Sequence, residues 1–83
     1  MLSELKGRSS EQRVVGVKQT KRALLDGNAA QVFLAGDADP RVIEPVARLC
    51  EEKGVPVART ASMKELGAAC GIAVGSAAAA LLR

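Results

Sequence analysis

Apolar residues follow two rhythms along this chain, short continuous runs and stripes at helical spacing, and their alternation predicts its elements. Residues 3–11 are polar with scattered leucines and read as a short, weakly packing first helix; residues 12–16, around Val14 and Val15, read as a short strand. From Val17 to Asp26, Thr20, Ala23 and Leu24 form one stripe, and Gly27-Asn28 supplies a helix stop. Val32-Phe33-Leu34-Ala35 is a continuous apolar run, the pattern of a strand buried on both faces. Asp39 before Pro40 is an N-cap pair opening a third helix. Its inward stripe is Val42, Ile43, Val46, Ala47, Leu49 and Cys50, and it ends at Lys53 with Gly54 beyond. Pro45 has no N–H for the carbonyl of residue 41 and crowds it. A kink is expected there, or a 3₁₀ turn over 40–43 with the regular helix starting near Pro45.

Val55 to Arg59 reads as a third strand, with Pro56 at its start where no ladder donor is needed. Ser62 and Glu65 have capping-box spacing. They open a short helix that carries Leu66, Ala69 and Cys70 and stops at Gly71. A loop, Ile72 to Gly75, then leads into a last strand over Ser76 to Leu82. Helix and strand thus alternate four times across short connections. That order predicts an α/β fold, a three-layer α/β/α sandwich around one mixed, four-stranded sheet, as a single domain over residues 1–83. The alanines at 77–80 suit close helix-on-sheet packing better than a mobile tail.

Composition changes the picture in two ways. Of 83 residues 48% are hydrophobic, yet Phe33 is the sole aromatic, which argues against RNA binding by stacking bases on exposed rings. The net charge of +3 is unevenly spread. Between Lys6 and Arg22, the cations Lys6, Arg8, Arg13, Lys18, Lys21 and Arg22 face one acid, Glu11, whereas Asp26 to Glu65 holds seven acids and five cations. Basic charge therefore gathers where the first strand meets the second helix.

Several chemistries are unsupported. Without histidine no Ser-His or Cys-His pair forms, and no Gly-rich phosphate motif occurs. Cys50 and Cys70 read as small buried hydrophobes, not as a metal site or a disulfide. No metal or cofactor is expected. Asp37 and Asp39 fit turn formation and capping; a small-molecule or enzymatic site built on them is the alternative reading. The opening Met-Leu-Ser-Glu-Leu-Lys has no apolar leader and no segment has the length of a membrane span, so a cytoplasmic protein is expected.

One stretch concentrates polar chemistry. Gly16-Val17-Lys18-Gln19-Thr20-Lys21, continued by Arg22, sits at a strand-to-helix turn. There glycine permits close approach, and helix N–H groups join cations and an amide. With Ala35-Gly36-Asp37-Ala38-Asp39-Pro40, Cys50-Glu51-Glu52-Lys53-Gly54-Val55-Pro56 and Leu66 to Gly75, it resembles the ribosomal L7Ae/L30e superfamily, in particular its small bacterial branch of kink-turn RNA-binding proteins. The blocks keep order and spacing across residues 14–83.

The resemblance implies recognition of a kink-turn, a duplex RNA sharply bent at a bulge flanked by sheared G·A pairs. The turn bearing the family's Gly-x-Asn-Glu signature contacts guanine edges; here Gly16, Lys18 and Gln19 match it, within Gly16-Val17-Lys18-Gln19. Lys18 would donate to guanine O6 or N7 and Gln19 would pair with a base edge, while Lys21 and Arg22 would meet phosphates. A second surface, matched by Ile72, Ala73, Val74 and Gly75, would pack aliphatic groups on the bulge nucleotides at the same end of the sandwich. Gly36 and Asp37 complete the expected RNA-binding set, Gly36 standing where relatives often carry a charge. The chain ends at Arg83, so no partner-recruiting extension is expected. The expected partner is thus a kink-turn RNA, with ribosomal RNA or a riboswitch as its candidate sources, and no membrane, no small-molecule substrate and a monomeric state are expected. The alternative is a protein-interaction or ribosome-associated scaffold of the same fold without kink-turn specificity.

Overall fold

The last strand of the chain is one of the two inner strands of the sheet, and it sets the architecture. The computed structural model describes residues 13–69 and 75–83. In order they form β1 (Arg13–Val15), α1 (Val17–Leu25), β2 (Ala29–Ala35), α2 (Pro40–Lys53), β3 (Val57–Thr60), α3 (Met63–Ala69) and β4 (Ala78–Leu82). The helix expected over 3–11, and residues 70–74 with Cys70 and Gly71, lie outside the described residues. The strands lie in the order β1-β4-β2-β3. β2 and β3 pair in parallel, and α2 supplies the crossover that parallel pairing requires. β4 runs antiparallel to both its neighbours, which makes the sheet mixed as expected.

Small side chains on β4 explain how it fits there. Ala78, Ala79 and Ala80 are fully buried, with a strand on either side and α1 packed against them. β2 is buried from Val32 to Ala35, in keeping with its unbroken apolar run. It begins earlier than expected, at Ala29, because pairing with the end of β4 (Ala29 opposite Leu82) carries it past a register irregularity at Ala29/Gln31. β3 and β4 each start two residues later than expected.

α1 buries the expected stripe, Thr20, Ala23 and Leu24, and Gly27 ends it with φ 73°. α2 excludes the 3₁₀ alternative at its start and corrects the stripe. It is α-helical without interruption from Pro40 to Lys53, with Pro45 inside it. No separate 3₁₀ turn precedes it: the Asp39 carbonyl accepts from both Val42 N–H (2.8 Å) and Ile43 N–H (3.2 Å). Pro45 and Arg41 are both exposed, so water can take the carbonyl that Pro45 leaves without a donor. The correction is Val42, which is 40% exposed, while Ile43, Val46 and Cys50 carry the buried stripe.

The Asp39 cap is realised. Its Oδ1 accepts from Arg41 N–H at 2.9 Å and its Oδ2 from the Arg41 guanidinium at 2.9 Å. The guanidinium, with the backbone bond second, lowers the Asp39 pKa from its ordinary 3.8. A carboxyl titrating lower in the folded chain contributes stability that is present above the unfolded value and fades as pH falls through the folded one. Asp39→Ala is accordingly expected to lower the thermal midpoint at pH 7. The gap from wild type should close once the pH drops below the wild-type carboxyl's own titration; melting curves from pH 7 to pH 2 check this.

Candidate nucleic-acid interface

Gly16 joins β1 to α1 with φ 109° and ψ 152°, a conformation essentially confined to glycine. Its N–H donates to the Ala78 carbonyl at 2.8 Å, which fixes the turn against the start of β4. A Cβ at Gly16 would lie 2.7 Å from Gln19 Oε1, so the Gln19 side chain folds back over the turn. No side chain caps α1 and its first turn carries no acid. Its leading N–H groups are thus available to an outside acceptor, and the helix end favours an anion.

Helical spacing distributes the side chains. Thr20 is fully buried and anchors the helix, Val17 packs against the core, and Lys18, Gln19 and Arg22 are exposed. Lys21 and Arg22, both expected to meet phosphates, line different grooves. Lys21 lines the groove between α1 and α2 with Arg41 and Arg48 but also with Glu44 and Glu52. Arg22 lines another, with Gln19, Val14 and Leu82, on the side of β1 and β4. Gln19 and Arg22 therefore share a surface that Lys21 does not.

The turn after β2 stands at the same end. Gly36 N–H donates to the Thr60 carbonyl at 2.8 Å, and a Cβ on Gly36 would fall 2.9 Å from that oxygen. Glycine at 36 thus has a packing reason: the strand-end backbones come too close for any side chain. Asp37 is exposed, yet its Oδ1 accepts from Met63 N–H at 2.7 Å, capping α3 from a different turn. The Ser62 Oγ accepts from Glu65 N–H at 3.0 Å, the forward half of the expected capping box. Both aspartates of the turn therefore serve helix N-termini.

Of the second expected surface, Ile72, Ala73 and Val74 lie outside the described residues; Gly75 is described and exposed. A Cβ there would meet Met63 at 3.1 Å, and Ser76 N–H donates to the Met63 carbonyl at 3.0 Å. Ala35 N–H donates to Ala77 O at 2.9 Å. The Gly16 turn, the Gly36–Asp37 turn and the approach to β4 are thus gathered at one end of the sheet. Sequence reasoning missed Met63 and Ser76, which join these segments. The capping motif at Ser62 marked the position of Met63, but nothing local marked its bond to Asp37. The one aromatic, Phe33, is fully buried, so this surface offers no ring to a base. Among the described residues, no cluster of potential metal ligands occurs and no helix is long and apolar enough to cross a membrane.

The profile of the Ribosomal protein L7Ae/L30e/S12e/Gadd45 family matches residues 2–83. The chain belongs to this family. It is 54% identical over 70 residues to an RNA-binding protein of Geobacillus kaustophilus, covering 84% of this chain and 85% of the relative. It is 53% identical over the same length and coverage to RNA-binding protein YbxF of Geobacillus stearothermophilus. The solved structure of the Giardia lamblia 15.5kD RNA binding protein superposes with a TM-score of 0.90 at 31% identity, over 99% of this chain and 70% of that one. A Bacillus halodurans protein of unknown function, at TM-score 0.85 and 21% identity over 99% and 84% of the two chains, shares the fold.

Proposed function

We propose that this protein is a non-enzymatic RNA-binding protein that recognises and stabilises kink-turn RNA, acting as a cytoplasmic, ribosome-associated monomer. The observation that carries the reading is the Gly16 turn: an uncapped helix N-terminus with Lys18 and Gln19 exposed on it, held against the start of β4. Names of relatives that denote RNA binding support the coarser half. The family resemblance supports the finer.

Lys18 and Gln19 reach base edges exposed by the sheared G·A pairs, Lys18 donating to guanine O6 or N7 and Gln19 both donating and accepting. Arg22 neutralises phosphate beside them, and Lys21 does so on the α2 side. Ile72, Ala73, Val74 and Gly75 supply aliphatic contact to the bulge. Binding only the bent form shifts the bent–extended equilibrium by the differential affinity for the two.

The test is titration at near-physiological salt of a kink-turn RNA and of the same RNA with Watson–Crick pairs replacing its G·A pairs. The wild type should prefer the kink-turn strongly. A Lys18→Ala, Gln19→Ala double variant should lose roughly 10- to 100-fold of that preference, the scale of one or two base-edge contacts. Equal wild-type affinity for both RNAs would sink the proposal.

A further inference from the structure

One hydrogen-bonded path crosses the proposed interface without using any of its base-reading side chains. Asp37 Oδ1 accepts from Met63 N–H at 2.7 Å. The Met63 carbonyl accepts from Ser76 N–H at 3.0 Å. Ser76 Oγ donates to the Ala78 carbonyl at 2.7 Å. That same carbonyl accepts from Gly16 N–H at 2.8 Å. Four bonds thus connect the turn after β2, the start of α3, the approach to β4 and the Gly16 turn, segments that are distant in sequence.

We infer that Asp37 and Ser76 are positioning residues for RNA recognition, holding the Gly16 turn and the start of α3 in one arrangement before RNA arrives. This rests on the RNA-binding reading above. Asp37 is better suited to this role than to contact. Its carboxylate has no donor to offer a phosphate oxygen, whereas as an acceptor for the first N–H of a helix it makes a charge-assisted bond. Ser76 is 6% exposed, so little water competes for its bond. It presses on the carbonyl that fixes Gly16, so its loss would reach the recognition turn directly. A surface fixed in advance spares the ordering cost that binding must otherwise meet, and that saving appears as affinity for the one shape it fits.

The experiment measures kink-turn and plain-duplex affinity at several salt concentrations, well below the melting range, for wild type, Asp37→Ala, Asp37→Asn, Ser76→Ala and the double alanine variant. Asp37→Ala and Ser76→Ala should each weaken kink-turn binding by roughly three- to tenfold, the scale of ordering one or two groups. Duplex affinity and the slope of log K against log salt should stay unchanged, since no phosphate contact is removed. The double variant should lose less than the product of the single losses, because one path is being cut twice. Asp37→Asn keeps an acceptor for Met63 and should stay within about twofold of wild type, a bond traded for a weaker one. A merely stabilising role would shift melting and leave these ratios unmoved. Tighter binding by both Asp37 variants would mean the charge acts on phosphate and would overturn the inference, as would wild-type affinity in Asp37→Ala. Asp37 is exposed, so its variants decide the question even if Ser76→Ala fails to fold. Absence of any kink-turn preference in the wild type would instead overturn the functional reading underneath, a distinct result.

Discussion

Phe33→Ala is expected to remove about 3–5 kcal/mol of stability, a large part of the ~5–15 kcal/mol a domain ordinarily has. Phe33 is the most voluminous fully buried side chain among the described residues, on the inner strand β2. The usual range is wide because some sites collapse around the vacancy and others do not. Here the cross-strand neighbours are Ala58 on β3 and Ala79 on β4, which have no length with which to fill the space. The cost should therefore fall in the upper part of the range. For a chain of 83 residues, that lowers the thermal midpoint by roughly 15–30 °C. Phe33→Leu keeps most of the volume and should cost under about 1.5 kcal/mol. Chemical and thermal unfolding of the two variants gives the comparison. Similar midpoints for Ala and Leu would show that the core closes over the gap and that the alanine neighbours do not limit it.

The same alanines mark the border of what was legible in the sequence. Where burial and local chemistry coincide, reading was direct: Val32 to Ala35 is apolar without interruption because helices and strands cover it on all sides, and Asp39-Pro40 caps α2 as a cap-and-proline pair should. The interior place of β4 was not legible. Alanine has high helix propensity, and only neighbours contributed from residues 13–15 and 29–35 make its strand conformation favourable. Val42 was misassigned because stripe positions near a helix end can overhang the core. Pro45 was tolerated because its unmet carbonyl lies among exposed residues, a fact about surroundings rather than spacing. At the interface, the Gly16 turn was readable because its chemistry is contiguous. The reason for Gly36 lies in the Thr60 carbonyl, and the partner of Asp37 lies 26 residues away; no local pattern carries either. The divergence of Lys21 from Arg22 was within reach of reasoning, since successive helical residues point about 100° apart.

Gly16→Ala should strike both stability and recognition. At φ 109° and ψ 152° an L-residue is strained by about 1–3 kcal/mol, equivalent to roughly 5–20 °C in the thermal midpoint at this size. The new methyl would also stand 2.7 Å from Gln19 Oε1. Because that atom ends a flexible side chain, it yields easily, and yielding moves the amide proposed to read a base. If the backbone instead relaxes toward negative φ, the bond from Gly16 N–H to Ala78 is put at risk and the turn leaves β4. Either route should lower kink-turn affinity by roughly 10- to 100-fold, on the scale of a lost base-edge contact, with plain-duplex affinity much less affected. Gly27→Ala separates strain from recognition: φ there is 73°, but a Cβ meets nothing within 4 Å, at the far end of α1. That variant should melt earlier and bind RNA as the wild type does. If the two variants instead lose affinity equally, the loss reflects general destabilisation. If Gly16→Ala binds with full discrimination, the strand-to-helix turn is not where the RNA is read.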